Sequence, residues 1–204
     1  MQIGFLFPGQ GVQKVGMGKD LYEKYEEVKN VYDEVKKITG IDIKKISFEG
    51  PEELLNKTQN TQLAILTESL AILKVLKNKN IKAKMSSGLS LGEYTALIED
   101  EIFDFETGIK VVEKRGEIMQ NAIPKGKWKM AAIIGLDEVT VQELCKDVKN
   151  GFVVPANYNT IGQIVISGEE NAVFEAGEKA KEKGARKIMI LNTSGPFHTK
   201  KLLD

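Results

Sequence analysis

Several residue types are scarce in this sequence, and each shortage excludes a class of protein. The single cysteine, Cys145, rules out an internal disulfide and favours a reducing compartment. Lys+Arg and Asp+Glu both number 29, so no excess charge argues for binding to nucleic acid or to a membrane surface. No apolar run approaches the roughly 20 residues that span a bilayer, and residues 1–7 lack the basic segment of a signal peptide. We therefore expect a cytoplasmic globular protein that acts on neither membranes nor nucleic acid.

Histidine and arginine are also rare. His198 is the only histidine, and Arg115 and Arg186 are the only arginines, whereas lysine is abundant. A residue type used so sparingly has a better chance of a specific role at each copy, although a lysine-favouring composition alone produces the same shortage.

Hydrophobic periodicity divides the chain into two parts. In the first part, a short strand at residues 3–7 precedes predicted helices at 21–38, 62–76, 91–98 and 105–120, the last of them capped by Asp104, and a second strand at 83–87. After the break at residues 124–126 the order becomes strand, helix, strand, strand, helix, strand over residues 127–191, which is the ferredoxin-like βαββαβ arrangement. The sequence thus predicts a helix-rich α/β domain, residues 1–124 plus 192–204, with a small ferredoxin-like subdomain, residues 125–191, inserted into it.

A candidate nucleophile lies in Gly88-Leu89-Ser90-Leu91-Gly92, which matches the G-x-S-x-G turn between a strand and a helix. Glycines are required where such a turn brings backbone segments close together. The helix that follows would aim its first amides, including that of Leu91, at an oxyanion formed on Ser90. A glycine-flanked turn that merely contains a serine remains the alternative.

A serine nucleophile needs a base, and His198 is the only histidine available. It follows the turn Ser194-Gly195-Pro196-Phe197, directly after the last predicted strand. A lone histidine is more often a structural or surface residue, so its assignment as the base depends on that of Ser90.

Arg115 lies on the apolar face of the helix predicted at 105–120, next to Gly116, which allows another element to approach closely. An inward guanidinium keeps its charge and needs an anion, and a carboxylate matches its geometry through two parallel hydrogen bonds. That anion either belongs to a neighbouring Asp or Glu, or arrives with the substrate. Gly9-Gln10-Gly11, in contrast, lacks the other residues of a phosphate-binding loop, and we interpret it as a turn where Gln10 can add to the oxyanion hole.

Taken together, these motifs resemble the malonyl-CoA:acyl-carrier-protein transacylase family, which includes the acyltransferase domains of polyketide synthases. The resemblance extends from Phe7 to His198 and follows the family's order: Phe7-Pro8-Gly9-Gln10-Gly11, Thr61-Gln62-Leu63-Ala64, Gly88-Leu89-Ser90-Leu91-Gly92-Glu93-Tyr94, Arg115-Gly116 with Met119, Asn157-Tyr158-Asn159 through Gly162-Gln163, and Gly195-Pro196-Phe197-His198. It implies an α/β-hydrolase-like large subdomain with an inserted ferredoxin-like small subdomain. It also implies a ping-pong transfer of malonyl from malonyl-CoA to the phosphopantetheine thiol of acyl carrier protein, with no permanently bound cofactor.

By this resemblance each site residue has an expected role. Ser90 carries the acyl group, His198 is the general base, and the amides of Gln10 and Leu91 form the oxyanion hole. The substrate-binding residues are Arg115, which grips the malonyl carboxylate, together with Gln62, Phe197 and Asn159. A bulky Phe197 leaves little room for an α-methyl group, so we expect malonyl to be preferred over methylmalonyl.

The chain departs from the family pattern at two places. Leu89 stands where many members have histidine, and the chain ends six residues after His198, where the family continues. We expect a shortened form with exposed apolar surface where the rest would pack. Two other functions remain open: a serine hydrolase such as a thioesterase, and a non-enzymatic form that only binds a carrier protein, for instance through Lys77, Lys79, Lys82 and Lys84. The sequence decides neither the pathway, fatty-acid or polyketide, nor the oligomeric state.

Overall fold

The computed structural model describes residues 2–124, 126–191, 193 and 195–202. Its internal contacts group the chain into two units, Met1–Gln120 and Asn121–Asp204. None of the described helices is both long and apolar enough to cross a membrane. The prediction that residues 192–204 return to the first subdomain stays a prediction; Asn192, Leu203 and Asp204 lie outside the described residues, as does Lys125 in the predicted break.

The first unit combines a two-stranded parallel sheet with seven described helices. Strands β1 and β2 pair in parallel register from Gly4 opposite Met85 to Phe7 opposite Gly88. Its elements, in chain order, are β1 (Gly4–Phe7), α1 (Lys19–Lys24), α2 (Glu26–Thr39), α3 (Ile43–Glu49), α4 (Glu52–Leu55), α5 (Thr58–Asn78), β2 (Met85–Gly88), α6 (Leu91–Glu99) and α7 (Phe105–Asn121).

Helix α5 is the centre of the first core. It is apolar on more than one face, and Leu63 and Leu66 are completely buried along it. Val28 and Val35 on the apolar face of α2 belong to the same core cluster, and their side chains are also fully buried. A helix covered on several sides buries polar residues as well, which places Gln62 in the interior.

The predicted helix at 21–38 is two helices that meet at Tyr25. Tyr25 has an extended backbone, with φ −124° and ψ 124°, and it is the single residue between the end of α1 and the start of α2. In one continuous helix Tyr22 and Tyr32 would lie about 15 Å apart along the axis. The break brings their ring centroids to 5.7 Å, and Phe48 lies 5.3 Å from Tyr22. This aromatic cluster is stabilised by edge-to-face packing and explains why the single-helix prediction was wrong.

The second unit confirms the predicted ferredoxin-like order. Its elements are β3 (Trp128–Ile134), α8 (Glu138–Lys146), β4 (Val153–Thr160), β5 (Gln163–Glu169), α9 (Glu170–Glu182), β6 (Lys187–Leu191) and a short 3₁₀ helix (Lys200–Leu202). The four strands form an antiparallel sheet in the order β4-β5-β3-β6. Ala131, Ile133 and Ile166 on one face of this sheet share a core with Val141 of α8 and Val173 of α9.

Candidate active site

Ser90 lies at a sharp turn between β2 and α6. Its backbone has φ 52° and ψ −99°, and it occupies the position immediately before the first residue of α6. A Cβ on Gly88 would lie 1.9 Å from the carbonyl carbon of Gly92, and one on Gly92 would lie 2.2 Å from the carbonyl oxygen of Phe7. Backbone atoms cannot move aside cheaply, so both positions require glycine. The structure therefore has the strand–turn–helix context that the G-x-S-x-G motif predicted.

The two amides predicted for the oxyanion hole belong to neighbouring backbone segments. Leu91 is the first residue of α6, where a helix leaves its N–H groups without an intrahelical acceptor. The segment that precedes Gln10 packs against the turn: the Leu89 N–H donates to the Phe7 carbonyl at 3.1 Å, and a Cβ on Gly9 would lie 2.7 Å from the Leu89 carbonyl oxygen. The site thus brings the two segments together, while the role of their amides stays a prediction.

Arg115 of α7 reaches the candidate nucleophile directly. Its Nη2 donates a hydrogen bond to Ser90 Oγ at 2.9 Å, and its Nη1 donates to Gln62 Oε1 on α5. Three of the predicted site residues are therefore in contact. Within the described part of the chain, no carboxylate lies within salt-bridge distance of Arg115. This geometry favours an anion that arrives with the substrate over a structural ion pair.

Two further side chains hold this cluster, and the sequence analysis assigned them no role. The Arg115 guanidinium lies over the Tyr94 ring, 5.3 Å from its centroid. Gln62 Nε2 donates to Met119 Sδ at 3.2 Å, which orients the amide so that its oxygen faces Arg115. Helical spacing was the available signal, because Tyr94 follows Ser90 by four residues and Met119 follows Arg115 by four.

Burial sets the electrostatics of the site. It lowers the pKa of Arg115 from its ordinary value, and the nearby Tyr94 and Glu93 act in the opposite direction. Arginine nevertheless stays protonated at neutral pH, so a half-buried positive charge faces Ser90. Cys145 does not compete as a nucleophile, since burial raises the pKa of its thiol to about 12.

The other three predicted site residues belong to the second unit. Phe197 is buried, and His198 is exposed with φ 58°. Asn159 Nδ2 donates to Gln163 Oε1 at 3.2 Å, while its buried Oδ1 has no hydrogen-bond partner among the described residues. Ser194, the start of the predicted turn, lies outside the described residues. The proximity of these three residues to Ser90 stays a prediction.

The fold and the site define a class of protein: an α/β protein with a serine at a strand–helix elbow, an arginine beside it, and a ferredoxin-like unit. A family model described as the acyl transferase domain matches residues 4–199, and the chain belongs to this family. Its curated relatives include the malonyl CoA-acyl carrier protein transacylases of Staphylococcus aureus strain MSSA476, 43% identical over 196 residues, and of Escherichia coli strain K12, 43% identical over 199. Those alignments cover 95% and 97% of this chain but 63% and 64% of the relatives.

Solved structures agree with this assignment. The malonyl CoA-acyl carrier protein transacylase of Clostridium perfringens is 45% identical, with a TM-score of 0.89 over 99% of this chain and 64% of that one. A malonyl-transacylase in complex with the acyl carrier protein of a type II polyketide synthase is 39% identical, with a TM-score of 0.91 over 99% of this chain and 67% of that one. The chain thus has the fold of these transacylases over nearly all its length and spans about two thirds of theirs.

Proposed function

We propose that this chain carries the acyl-transfer site of a malonyl-CoA:acyl-carrier-protein transacylase. Malonyl moves from malonyl-CoA to Ser90, and then from Ser90 to the phosphopantetheine thiol of acyl carrier protein. The relatives are malonyl CoA-acyl carrier protein transacylases, and this supports the choice of substrates. A cytoplasmic location, where both substrates would be found, is part of the same proposal.

The observation that carries this proposal is the 2.9 Å hydrogen bond between Arg115 Nη2 and Ser90 Oγ. A carboxylate held by this guanidinium is separated from the serine oxygen by only a short distance. Malonyl fits this short span because a single methylene separates its carboxylate from its thioester carbonyl. The ion pair orients the carbonyl for attack. An acetyl group, which has no carboxylate, would leave the half-buried charge without an anion.

In the first half-reaction Ser90 Oγ attacks the thioester carbonyl and His198 accepts its proton. The N–H groups of Gln10 and Leu91 donate to the oxyanion of the tetrahedral intermediate. The intermediate collapses with cleavage of the carbon–sulfur bond, and coenzyme A leaves as a thiol with the proton from His198. The carrier-protein thiol then attacks the malonyl ester in the same way and restores the Ser90 hydroxyl.

The first test is the intact mass of the purified chain after incubation with malonyl-CoA. We expect a malonyl adduct on the unaltered protein, none on Ser90→Ala, and little or none with acetyl-CoA. Addition of phosphopantetheinylated carrier protein should remove the adduct and yield malonyl carrier protein. Release of free malonate instead would show a hydrolase. An equal adduct on Ser90→Ala would contradict the assignment of the nucleophile.

Phe197 gives a separate prediction about the acyl group. Its ring is buried, and a Cβ on Gly195 would lie 3.1 Å from Phe197 Cε1, so little space surrounds it. If Phe197 lines the acyl site, methylmalonyl-CoA should load Ser90 more slowly than malonyl-CoA, and Phe197→Ala should narrow the difference. Equal loading of both thioesters by the unaltered protein would contradict this role.

A further inference from the structure

The guanidinium of Arg115 is held in a fixed position against Ser90. The Gln62 side chain is completely buried, and its amide accepts from Arg115 through Oε1 while it donates to Met119 through Nε2. The ring of Tyr94 covers the guanidinium. These contacts place an Arg115 N–H on an electron pair of Ser90 Oγ before any substrate is present.

A substrate carboxylate competes for the same guanidinium. It is a stronger acceptor than a serine hydroxyl because it carries a full negative charge. The guanidinium has five N–H groups, and Gln62 and Ser90 each accept from one of them. A carboxylate that binds between Arg115 and Ser90 competes for the Nη2 N–H that now points at Oγ. Ser90 Oγ is the acceptor more easily replaced, since the Gln62 amide is buried and fixed by Met119.

We propose that Arg115 restrains the Ser90 nucleophile until a substrate carboxylate engages the guanidinium. In the resting state the hydrogen bond from a permanent cation draws electron density from Ser90 Oγ and makes it a weaker nucleophile. When the carboxylate binds, the Arg115 N–H turns to it and the electron pair on Oγ becomes available for attack. Acyl groups without a carboxylate are then disfavoured in the rate of the chemical step as well as in affinity. This inference rests on the proposed function, because it assumes a carboxylate-bearing acyl substrate.

The first test measures binding of free malonate, which has no leaving group and cannot acylate the serine. If the carboxylate must displace the Ser90 hydrogen bond, removal of the hydroxyl should strengthen binding. By titration calorimetry we expect Ser90→Ala to bind malonate roughly 3- to 10-fold more tightly than the unaltered chain. Arg115→Met should abolish binding in both backgrounds. Equal or weaker binding to Ser90→Ala would overturn the proposal, as would an absence of malonate binding to either protein.

The second test measures the reactivity of Ser90 with a neutral fluorophosphonate. Phosphorus forms a bond to Oγ, the serine proton is lost to the base, and fluoride leaves. We expect Arg115→Met to be labelled several-fold faster than the unaltered chain, and formate to accelerate labelling of the unaltered chain only. Slower labelling of both Arg115→Met and Arg115→Lys, with unchanged Tm, would show that the guanidinium activates Ser90 and would overturn the proposal.

Neither test uses malonyl-CoA, so each can fail independently of the proposed function. If the unaltered chain forms a malonyl adduct but Ser90→Ala binds malonate with unchanged affinity, the transacylase function is supported and the restraint of Ser90 by Arg115 is contradicted. If Ser90→Ala binds malonate more tightly but the unaltered chain forms no malonyl adduct, the restraint is supported and the acyl transfer is contradicted.

Discussion

At the scale of single residues, the conformation around Ser90 depends on glycines. Backbone atoms lie so close to these glycines that a side chain would not fit. The closest approach to a Cβ on Gly92 is the Phe7 carbonyl oxygen at 2.2 Å, with the Pro8 carbonyl at 2.8 Å. We therefore expect Gly92→Ala to push β1 away from α6, at a cost near the upper end of the about 1–3 kcal/mol typical of overpacking. Denaturant unfolding measures this cost, and the malonyl adduct should be lost as well.

Gly4→Ala is the matched control within the same unit. The nearest atom to a Cβ on Gly4 is Met85 Cγ at 3.6 Å, an ordinary contact. The alanine should be tolerated, or stabilise by about 0.4–1 kcal/mol because the unfolded chain loses freedom. Similar behaviour of the two variants would show that the turn at Ser90 has more space than the structure indicates.

At the scale of elements, the position of Arg115 depends on the contact between α5 and α7. A Cβ on Gly116 would lie 2.8 Å from the Cα of Gln59, so the two helices touch backbone to backbone beside the site. Gly116→Ala should separate them, cost about 1–3 kcal/mol, and move Arg115 relative to Gln62. We expect malonyl loading to fall more than acetyl loading, measured as rates of adduct formation on folded protein.

The neighbouring exposed position supplies the control. Glu117 lies on the solvent side of α7, where it pairs with Lys114 at 2.8 Å. Glu117→Ala should change both loading rates little, because surface ion pairs contribute little. An equal effect of the two substitutions would mean that the α5–α7 contact does not position Arg115.

The elements also show which features the sequence could predict. Local signals were sufficient for α7, whose first turn is capped by Asp104 accepting from the Thr107 N–H at 2.7 Å, and for the order of the second unit. They failed at Tyr25, because the break comes from ring contacts between residues far apart in sequence. Helical periodicity also predicted that Arg115 points toward the interior. Its contact with Ser90, however, depends on how closely α5 and α7 pack, and only the folded structure shows that distance.

At the scale of the whole molecule, a half-buried carboxylate makes stability depend on pH. Burial raises the pKa of Glu68 above its ordinary value of 4.5, and the nearby Asp20 raises it further, while Lys14 lowers it. The folded state therefore binds the Glu68 proton more tightly than the unfolded state does. The stability that this provides is present below the ordinary pKa and is lost as the pH rises from the ordinary pKa through the raised one. Glu68→Gln should raise Tm more at pH 7 than at pH 4.

Glu23→Gln controls for the loss of one surface charge. Its carboxylate is exposed and lies 4.0 Å from Lys19 Nζ. Thermal unfolding of both variants at the two pH values is the measurement. If Glu68→Gln and Glu23→Gln shift Tm equally at each pH, burial of Glu68 does not contribute to the pH dependence of stability.

The two-stranded sheet of the first unit is partly exposed to solvent. Parallel sheets are normally covered on both faces, and natural proteins cover, shorten or charge their edge strands. Among the described residues β1 pairs only with β2, the Leu6 side chain is 84% exposed, and a groove of about 430 Å³ beside it is lined by Val12, Ile65 and Ile72. The curated relatives contain another third of their length beyond this alignment, and we expect such a segment to cover this surface.

Without such a segment, the exposed strand should drive self-association. We expect light scattering and sedimentation to show concentration-dependent aggregates of the chain, and Leu6→Lys to reduce them, because a charge on an edge strand opposes pairing with another copy. Ile161→Lys is the control, since Ile161 is fully exposed in the turn between β4 and β5 and is not part of this sheet. If both substitutions reduce aggregation equally, general solubility is the cause. If only Leu6→Lys does so, the open edge of β1 is the surface through which copies of the chain associate.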